Sequence, residues 1–176
     1  MEVIREFSEE HLFDILTYRN AMPETWHYPD AAEYYEQQLR NQNTIHLLLK
    51  KVELPIEYLL AIPHNEAIED KELRYADPEL AEDPDRLYIE TMEIAPEYAR
   101  SLVGGKLCLM MLRPLHEEAG KRRLFKFSMH TRVNTGLNTA LRKMYGDMLT
   151  LFRRIDNWPF YNGEEPTEYI EGTYRE

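Results

Sequence analysis

The sequence predicts a mixed α/β (α+β) domain built around one βαβ unit. An apolar strand pattern covers residues 87–94, and a turn and a glycine pair, Gly104-Gly105, follow it. An apolar helix pattern then covers residues 106–119, and a second strand pattern covers 124–130. A glycine turn that leads from a strand into a helix leaves backbone N–H groups free at the start of that helix. The sequence therefore predicts a site for an anion at this point.

Length and composition restrict the class of protein. A chain of 176 residues fits a single domain, 1–176, and its content of 43% hydrophobic and 11% aromatic residues excludes a largely disordered protein. The single cysteine, Cys108, allows no internal disulfide, which suits a reducing compartment. No secretion signal and no apolar run of membrane-spanning length is visible. We therefore expect a cytoplasmic protein with no membrane contact.

The remaining elements follow in order along the chain. A strand pattern opens it, Ser8 and Asp30 are placed to begin two helices, and further strand patterns cover residues 44–49, 56–62, 149–152 and 169–174. Residues 64–86 are rich in Asp and Glu and poor in apolar residues, so we expect an acidic excursion at the surface. A flexible loop is the first interpretation, and a short helix and a lid are left open.

The charge is unevenly distributed. Residues 100–143 contain ten basic and two acidic residues, a net charge of +8, whereas the rest of the chain carries −19. A local positive field of this kind favours a small polyphosphate ligand. The acidic whole argues against a nucleic-acid partner, because neutralisation of phosphates dominates such binding.

These elements and motifs resemble the GNAT superfamily of acyl-CoA-dependent N-acyltransferases, as a divergent member. The family's apolar strand, Pro-x-Tyr turn and Arg-x-x-Gly-x-Gly loop match Ile94-Ala95-Pro96-Glu97-Tyr98, then Arg100 and Gly104-Gly105-Lys106-Leu107. The family's Asn, followed seven residues later by Tyr on a helix, matches Asn138 and Tyr145. One glycine of the loop pattern is absent here, and Gly146-Asp147 stands where the family continues with Gly-Phe.

The resemblance implies a central mixed, mostly antiparallel, twisted sheet flanked by helices, with acetyl-CoA or another acyl-CoA as co-substrate and no metal. It places the main chain of two strand residues along the pantetheine and the diphosphate at the glycine loop. The residues implied to bind the cofactor are Met92, Ile94, Arg100, Ser101, Leu102, Val103, Gly104, Gly105, Lys106 and Asn138. The basic run 121–123 is expected to add charge near the ribose phosphate.

The resemblance also implies direct attack by an amine on the thioester in a ternary complex. Tyr145 would be the acid for the departing thiolate, and Glu90 or Glu93 the base for the ammonium. Because these glutamates are three residues apart on one strand, we expect them on opposite faces, so that at most one faces the site. The acceptor is expected to be an amine of a small molecule or peptide, and the acidity of the rest of the chain favours a cationic one. A homodimer is left open.

Two other interpretations stay open. The incomplete glycine pattern favours a protein of this fold that binds CoA, another nucleotide or a partner without catalysis. An acyltransferase of the related autoinducer-synthase-like branch would need a pocket for a longer acyl chain behind Met110 and Met111. A metal hydrolase is disfavoured, because the His and Glu residues near 116–118 and 130 lack a recognised ligand spacing.

Overall fold

The computed structural model describes residues 1–8, 11–22, 30–52, 54–99, 102–133, 136–159 and 166–174. Two of the residues that the sequence assigns to the cofactor, Arg100 and Ser101, lie outside the described residues. All other residues assigned to the site lie within them.

Within these ranges, seven strands form one sheet. They are β1 Glu2–Ile4, β2 Ile45–Lys51, β3 Leu54–Pro63, β4 Arg86–Ile94, β5 Lys126–Arg132, β6 Leu149–Ile155 and β7 Thr167–Thr173. Their order across the sheet is β1-β2-β3-β4-β5-β7-β6, and every neighbouring pair is antiparallel except β4 and β5. The expected mixed, mostly antiparallel sheet is confirmed.

Helices cover both faces of this sheet. They are α1 Leu12–Asn20, α2 Ala31–Arg40, α3 His64–Ala67, α4 Lys71–Ala76, α5 Pro96–Ala99, α6 Leu102–Lys121 and α7 Gly136–Tyr145. A 3-10 turn, Gly146–Met148, follows α7. The central helix α6 begins four residues before the predicted start, so Gly104 and Gly105 lie inside its first turns rather than ahead of them. In the described part of the chain, no helix has the length and apolar character needed to cross a membrane.

Two hydrophobic clusters hold the helices to the sheet. On one face, which we call the α6 face, Leu107 and Met111 of α6 and Leu141 of α7 pack against the strands. On the opposite face, which we call the pocket face, Ile15 of α1 and Tyr35 of α2 are fully buried. Alternation of side chains along each strand decides which residues reach which face.

A β-bulge in β4 changes that alternation. Ile89 pairs with Ala61 and Thr91 pairs with Leu60, so Glu90 is an extra residue opposite β3. An extra residue shifts the register of side chains by one position. Glu90 and Glu93 therefore lie on the same face, and the expectation that they face opposite ways is wrong.

The acidic segment 64–86 is packed rather than loop-like. It contains α3 and α4, and Ala67, Ile68 and Leu73 join the hydrophobic cluster of the pocket face. Asp70 begins α4 by accepting hydrogen bonds from two backbone N–H groups of its first turn. The few apolar residues of this segment are thus enough to fix it against the sheet, contrary to the expected surface loop.

Candidate active site

Strands β4 and β5 separate part-way along their length. They pair in parallel only at Arg86–Lys126, Leu87–Phe127 and Tyr88–Ser128, whereas β5 runs on to Arg132 and β4 to Ile94. Beyond Tyr88–Ser128, the facing backbone edges of β4 and β5 are not joined by ladder hydrogen bonds. This leaves a V-shaped gap, closed at Tyr88 and open toward Ile94. Met92 and Ile94, which the sequence assigns to the pantetheine, are on its β4 side.

The start of α6 lies just beyond the open end of this gap. The dipole of a helix is positive at its first turn, where backbone N–H groups point along the axis, so this end of α6 is suited to an anion. Gly104 is buried, while Val103 and Lys106 are exposed. A Cβ atom added to Gly105 would meet no other heavy atom within 4 Å, so space is open at this point of the helix. The arrangement suits a diphosphate whose chain continues into the gap.

A cavity of about 440 Å³ opens on the pocket face beside the same gap. Its acidic lining residues are Asp30, Glu66, Asp70, Glu72, Glu90 and Glu93, and its described lining contains no Lys or Arg. We call this cavity the acidic pocket. It favours a positively charged ligand. Within the described ranges, no group of three or more His, Cys, Asp or Glu side chains is placed to hold a metal ion.

The two glutamates of β4 have different environments in the acidic pocket. Tyr34 of α2 donates a hydrogen bond to the Glu90 carboxyl. Burial raises the pKa of Glu90 to about 7, although Tyr34 and the charge of Arg19 act in the opposite direction. Glu93 instead forms a salt bridge with Arg19, which is itself buried. Burial raises the pKa of Glu93 as well, against the effect of Arg19. The two glutamates therefore differ in their partners: Glu93 is bound to a cation, whereas Glu90 accepts from a neutral hydroxyl.

No family model matches the sequence, and no curated protein matches it. Solved structures match it over nearly the whole chain. Aminoglycoside 6'-acetyltransferase type Ii has a TM-score of 0.66 at 14% identity, with 98% of this chain and 97% of that chain covered. The ribosomal-protein-S18-alanine N-acetyltransferase from Escherichia coli has a TM-score of 0.67 at 12% identity, with 99% and 94% covered. The chain has the GNAT fold.

A third match carries a ligand. The PaiA N-acetyltransferase from Thermoplasma acidophilum, solved in complex with coenzyme A, has a TM-score of 0.55 at 12% identity. The alignment covers 99% of this chain and all of that one. At these identities the likeness establishes the GNAT fold alone, and the activity has to be argued from the site.

Asn138 of the predicted GNAT helix motif is used inside the fold. The Thr131 hydroxyl donates to its amide oxygen at 3.0 Å, and its amide nitrogen donates to Glu168 at 2.6 Å. These bonds tie α7 to β5 and β7, and the side chain is buried. Its role as a cofactor ligand stays a prediction.

Tyr145, the other residue of that motif, is not brought together with the two glutamates. Its side chain is buried in the cluster of the α6 face, beside Phe127, and its hydroxyl is hydrogen-bonded to His116. His116 lies 14 residues after the start of α6, which corresponds to about 20 Å along the helix. Burial raises the pKa of Tyr145. The geometry favours a packing role, and its role as an acid stays a prediction.

The basic run 121–123 is also distant from the anion site. Lys121 ends α6, so about 30 Å of helix separates it from Leu102. Lys121 forms a salt bridge with Glu118, and Arg122 donates to the carbonyl of Gln42 at 3.2 Å. One coenzyme molecule cannot place its diphosphate at the start of α6 and its ribose phosphate near this run. The positive charge of residues 100–143 is thus divided between the two ends of α6.

Several polar residues of the pocket face had no signal in the sequence. Tyr34 and Arg19 lie in helix patterns, and His130 lies at the end of a strand pattern. These patterns predict that a residue packs in the fold and give no sign of a role in a site. Asp77 lies in the acidic segment 64–86, yet its side chain is completely buried. A buried partner for an Asp is invisible in one sequence, because it comes from another part of the chain.

Proposed function

We propose that this protein is an acyl-CoA-dependent N-acyltransferase that transfers acetyl from acetyl-CoA to a primary amine of a cationic acceptor. The main support for the proposal is that the anion site at the start of α6 and the acidic pocket both adjoin the gap between β4 and β5. The start of α6 and the edge of β4 lie on the cofactor side, and the acidic pocket reaches the same gap from the pocket face.

The cofactor side offers each part of acetyl-CoA a partner. The first turn of α6 would receive the diphosphate, and the exposed Lys106 adds positive charge. The backbone of Met92 and Ile94 would hydrogen-bond the pantetheine amides as an added strand does, and would orient the thioester carbonyl. A protein of the same fold has been solved in complex with coenzyme A, which supports the choice of ligand.

The acceptor side suits an amine that carries further positive charge. Six acidic residues line the acidic pocket, and Arg19 forms a salt bridge with one of them, Glu93. An ammonium group must lose a proton before its nitrogen can attack the thioester. Glu90, with a pKa of about 7, would take that proton near neutral pH. Among proteins of this fold, one matched structure is an aminoglycoside acetyltransferase, which fits this choice of acceptor.

Calorimetric titration with acetyl-CoA and CoA tests the cofactor side. Gly105→Glu places a carboxylate in the open space at the start of α6, and we expect it to weaken binding at least about tenfold. Gly120→Glu is the matched control, because it makes the same change at the other end of α6, where the added atom also meets nothing within 4 Å. No binding to the wild-type protein would overturn the proposal.

Release of free thiol from acetyl-CoA, measured with spermidine, kanamycin and a lysine peptide as acceptors, tests the acceptor side. We expect turnover with at least one of the polycations and less with an amine that carries no further charge.

The burial of Tyr145 and the missing loop glycine favour a second candidate function, a CoA-binding protein without catalysis. Tight CoA binding with no turnover for any amine would identify that candidate. Met111 is fully packed in the core and Met110 is at the surface, so the described residues offer no support for a long-chain pocket there.

A further inference from the structure

We propose that Tyr88, His130 and Asp77 form a proton relay at the closed end of the gap, in which the Tyr88 hydroxyl is a second proton acceptor for the reacting amine. The proposal rests on the proposed N-acyltransferase activity. It adds a catalytic residue, Tyr88, and two residues that act through it.

The three side chains form one hydrogen-bonded chain from three parts of the fold. The Tyr88 hydroxyl of β4 lies 2.8 Å from Nδ1 of His130 on β5. Nε2 of the same imidazole lies 2.9 Å from Oδ2 of Asp77, in the segment between α4 and β4. Trp158 stacks on the imidazole with ring centroids 4.3 Å apart, which fixes its plane.

The chain lies where the reaction would take place. Tyr88 belongs to the last pair that joins β4 to β5, and both Tyr88 and His130 line the acidic pocket. Glu90 is two residues further along β4 and lines the same pocket. A substrate nitrogen between Glu90 and Tyr88 would therefore have a proton acceptor on each side.

The charges fix the direction of the hydrogen bonds. Asp77 is held ionised because His130 and Arg153 oppose the effect of burial, and its pKa is about 2. An ionised carboxylate only accepts, so Nε2 of His130 carries the proton and Nδ1 accepts from the Tyr88 hydroxyl. Burial lowers the pKa of His130, so the imidazole is neutral at rest. The ionisable groups that face it are Asp77, Arg153, His64, Tyr88 and Tyr169.

The chemistry requires more than one proton acceptor. An ammonium that becomes an amide nitrogen loses two protons, and the thiolate that departs gains one. Glu90 takes the first proton before attack. As the C–N bond forms, the second proton passes to the Tyr88 oxygen while the Tyr88 proton moves to Nδ1 of His130. When the C–S bond breaks with its electron pair on sulfur, the proton returns through Tyr88 to the thiolate, and Glu90 releases its proton to solvent.

A comparable pair on the neighbouring strand provides a control. Tyr58 of β3 is bonded to Nδ1 of His46 at 2.9 Å, and burial lowers the pKa of that histidine too. Neither residue lines the acidic pocket. The two pairs share the Tyr–His hydrogen bond. They differ in access to the substrate and in the partner of Nε2, which is Asp77 for His130 and the Gln38 carbonyl for His46.

The test compares Tyr88→Phe with Tyr58→Phe in the acetyl transfer assay, using the best acceptor of the panel. We expect Tyr88→Phe to lower kcat about 100-fold with KM changed less than about threefold, because general acid–base catalysis contributes that much. Tyr58→Phe should leave kcat within about threefold. His130→Gln should match Tyr88→Phe, and the double variant should lose no more than either alone, because the residues act as one unit.

The outcomes separate the relay from the activity. Equal kcat for Tyr88→Phe and wild type would overturn the relay and leave the N-acyltransferase standing. Wild-type protein that transfers acetyl to no amine would overturn the activity and the proton-transfer role with it. Should Tyr88→Phe fail to fold, nitrogen NMR of histidine in the wild-type protein decides instead. A proton on Nδ1 of His130 would overturn the relay, and a proton on Nε2 supports it.

Discussion

Glu90, which is half-buried, and Glu57, which is fully buried, lie on opposite faces of the same sheet. Burial raises the pKa of Glu90 to about 7 and that of Glu57 to about 8. Glu57 pairs across strands with Leu49 and Ile94, which point toward the α6 face, and it is completely buried. Within the described part of the chain no hydrogen bond satisfies either of its oxygens, and the Cys108 thiol opposes the effect of burial on its pKa only in part.

The difference between the two glutamates lies in access and partners. Glu90 lines the acidic pocket and receives a hydrogen bond from Tyr34, so a substrate nitrogen can reach a carboxyl that is already oriented. Glu57 has the same shift for the same physical cause but lies beneath α6. A carboxyl with a raised pKa is therefore a candidate base only where it faces a cavity. Where the carboxyl is enclosed in the core, the raised pKa indicates that its ionised form destabilises the fold.

The largest expected effect is on turnover. Glu90→Gln should lower kcat about 100-fold to 10,000-fold, because it removes the proposed base and keeps the shape of the side chain. The matched variant Glu57→Gln should keep turnover within about threefold. Steady-state acetyl transfer measures kcat for both variants. An equal fall in kcat in the two variants would contradict a specific role of Glu90 as the base.

The pH dependence sharpens the same contrast. Wild-type kcat/KM should rise as the pH increases through about 7, because Glu90 must lose its proton to act as a base. The rise of kcat/KM with pH should have the same midpoint in Glu57→Gln. A limb with its midpoint near the ordinary carboxyl value of 4.5 would show that Glu90 is not desolvated in solution.

Glu57 should instead control how stability depends on pH. Its pKa of about 8 in the folded protein exceeds its ordinary value of 4.5, so it favours folding below pH 4.5 and this contribution is lost as the pH rises to about 8. Thermal unfolding across this range should show a smaller fall in Tm for Glu57→Gln than for wild type. Parallel curves for the two proteins would contradict the burial of an isolated carboxyl.

A packing test on the α6 face has a smaller effect. A Cβ atom added to Gly172 of β7 would lie 2.5 Å from the Phe127 ring, which is fully buried. Gly172→Ala should therefore lower the free energy of unfolding by about 1–3 kcal/mol. Gly120→Ala is the control, because its new methyl group meets nothing within 4 Å and favours the helix by about 0.5–1 kcal/mol. Denaturant titration distinguishes the two.

The smallest expected effect concerns Tyr145. Removal of its hydroxyl in Tyr145→Phe breaks the bond to His116, and we expect a loss of about 1 kcal/mol of stability with kcat changed less than about threefold. A fall of about 100-fold in kcat at unchanged stability would instead support the role of acid that the sequence motif assigns to this residue.

The sequence predicts the order of elements well, because the periodicity of apolar residues is a local property. It predicts the sites less completely. A bulge at Glu90 depends on pairing with β3, so the shared face of Glu90 and Glu93 could not be derived from their spacing. The length of α6 separates the basic run from the glycine pair, and the burial of Asp77 depends on His130, 53 residues away.

The V-shaped gap divides the sheet into two blocks, β1–β4 and β5–β7, joined through the ladder by only three residue pairs. In the absence of ligand, we expect the backbone amides along the gap to exchange with solvent more readily than those in the interior of either block. A bound pantetheine chain would hydrogen-bond along this edge and join the two blocks. If coenzyme binds as proposed, it would also increase the cooperativity of unfolding, and hydrogen exchange would register its occupancy as slower exchange along β4.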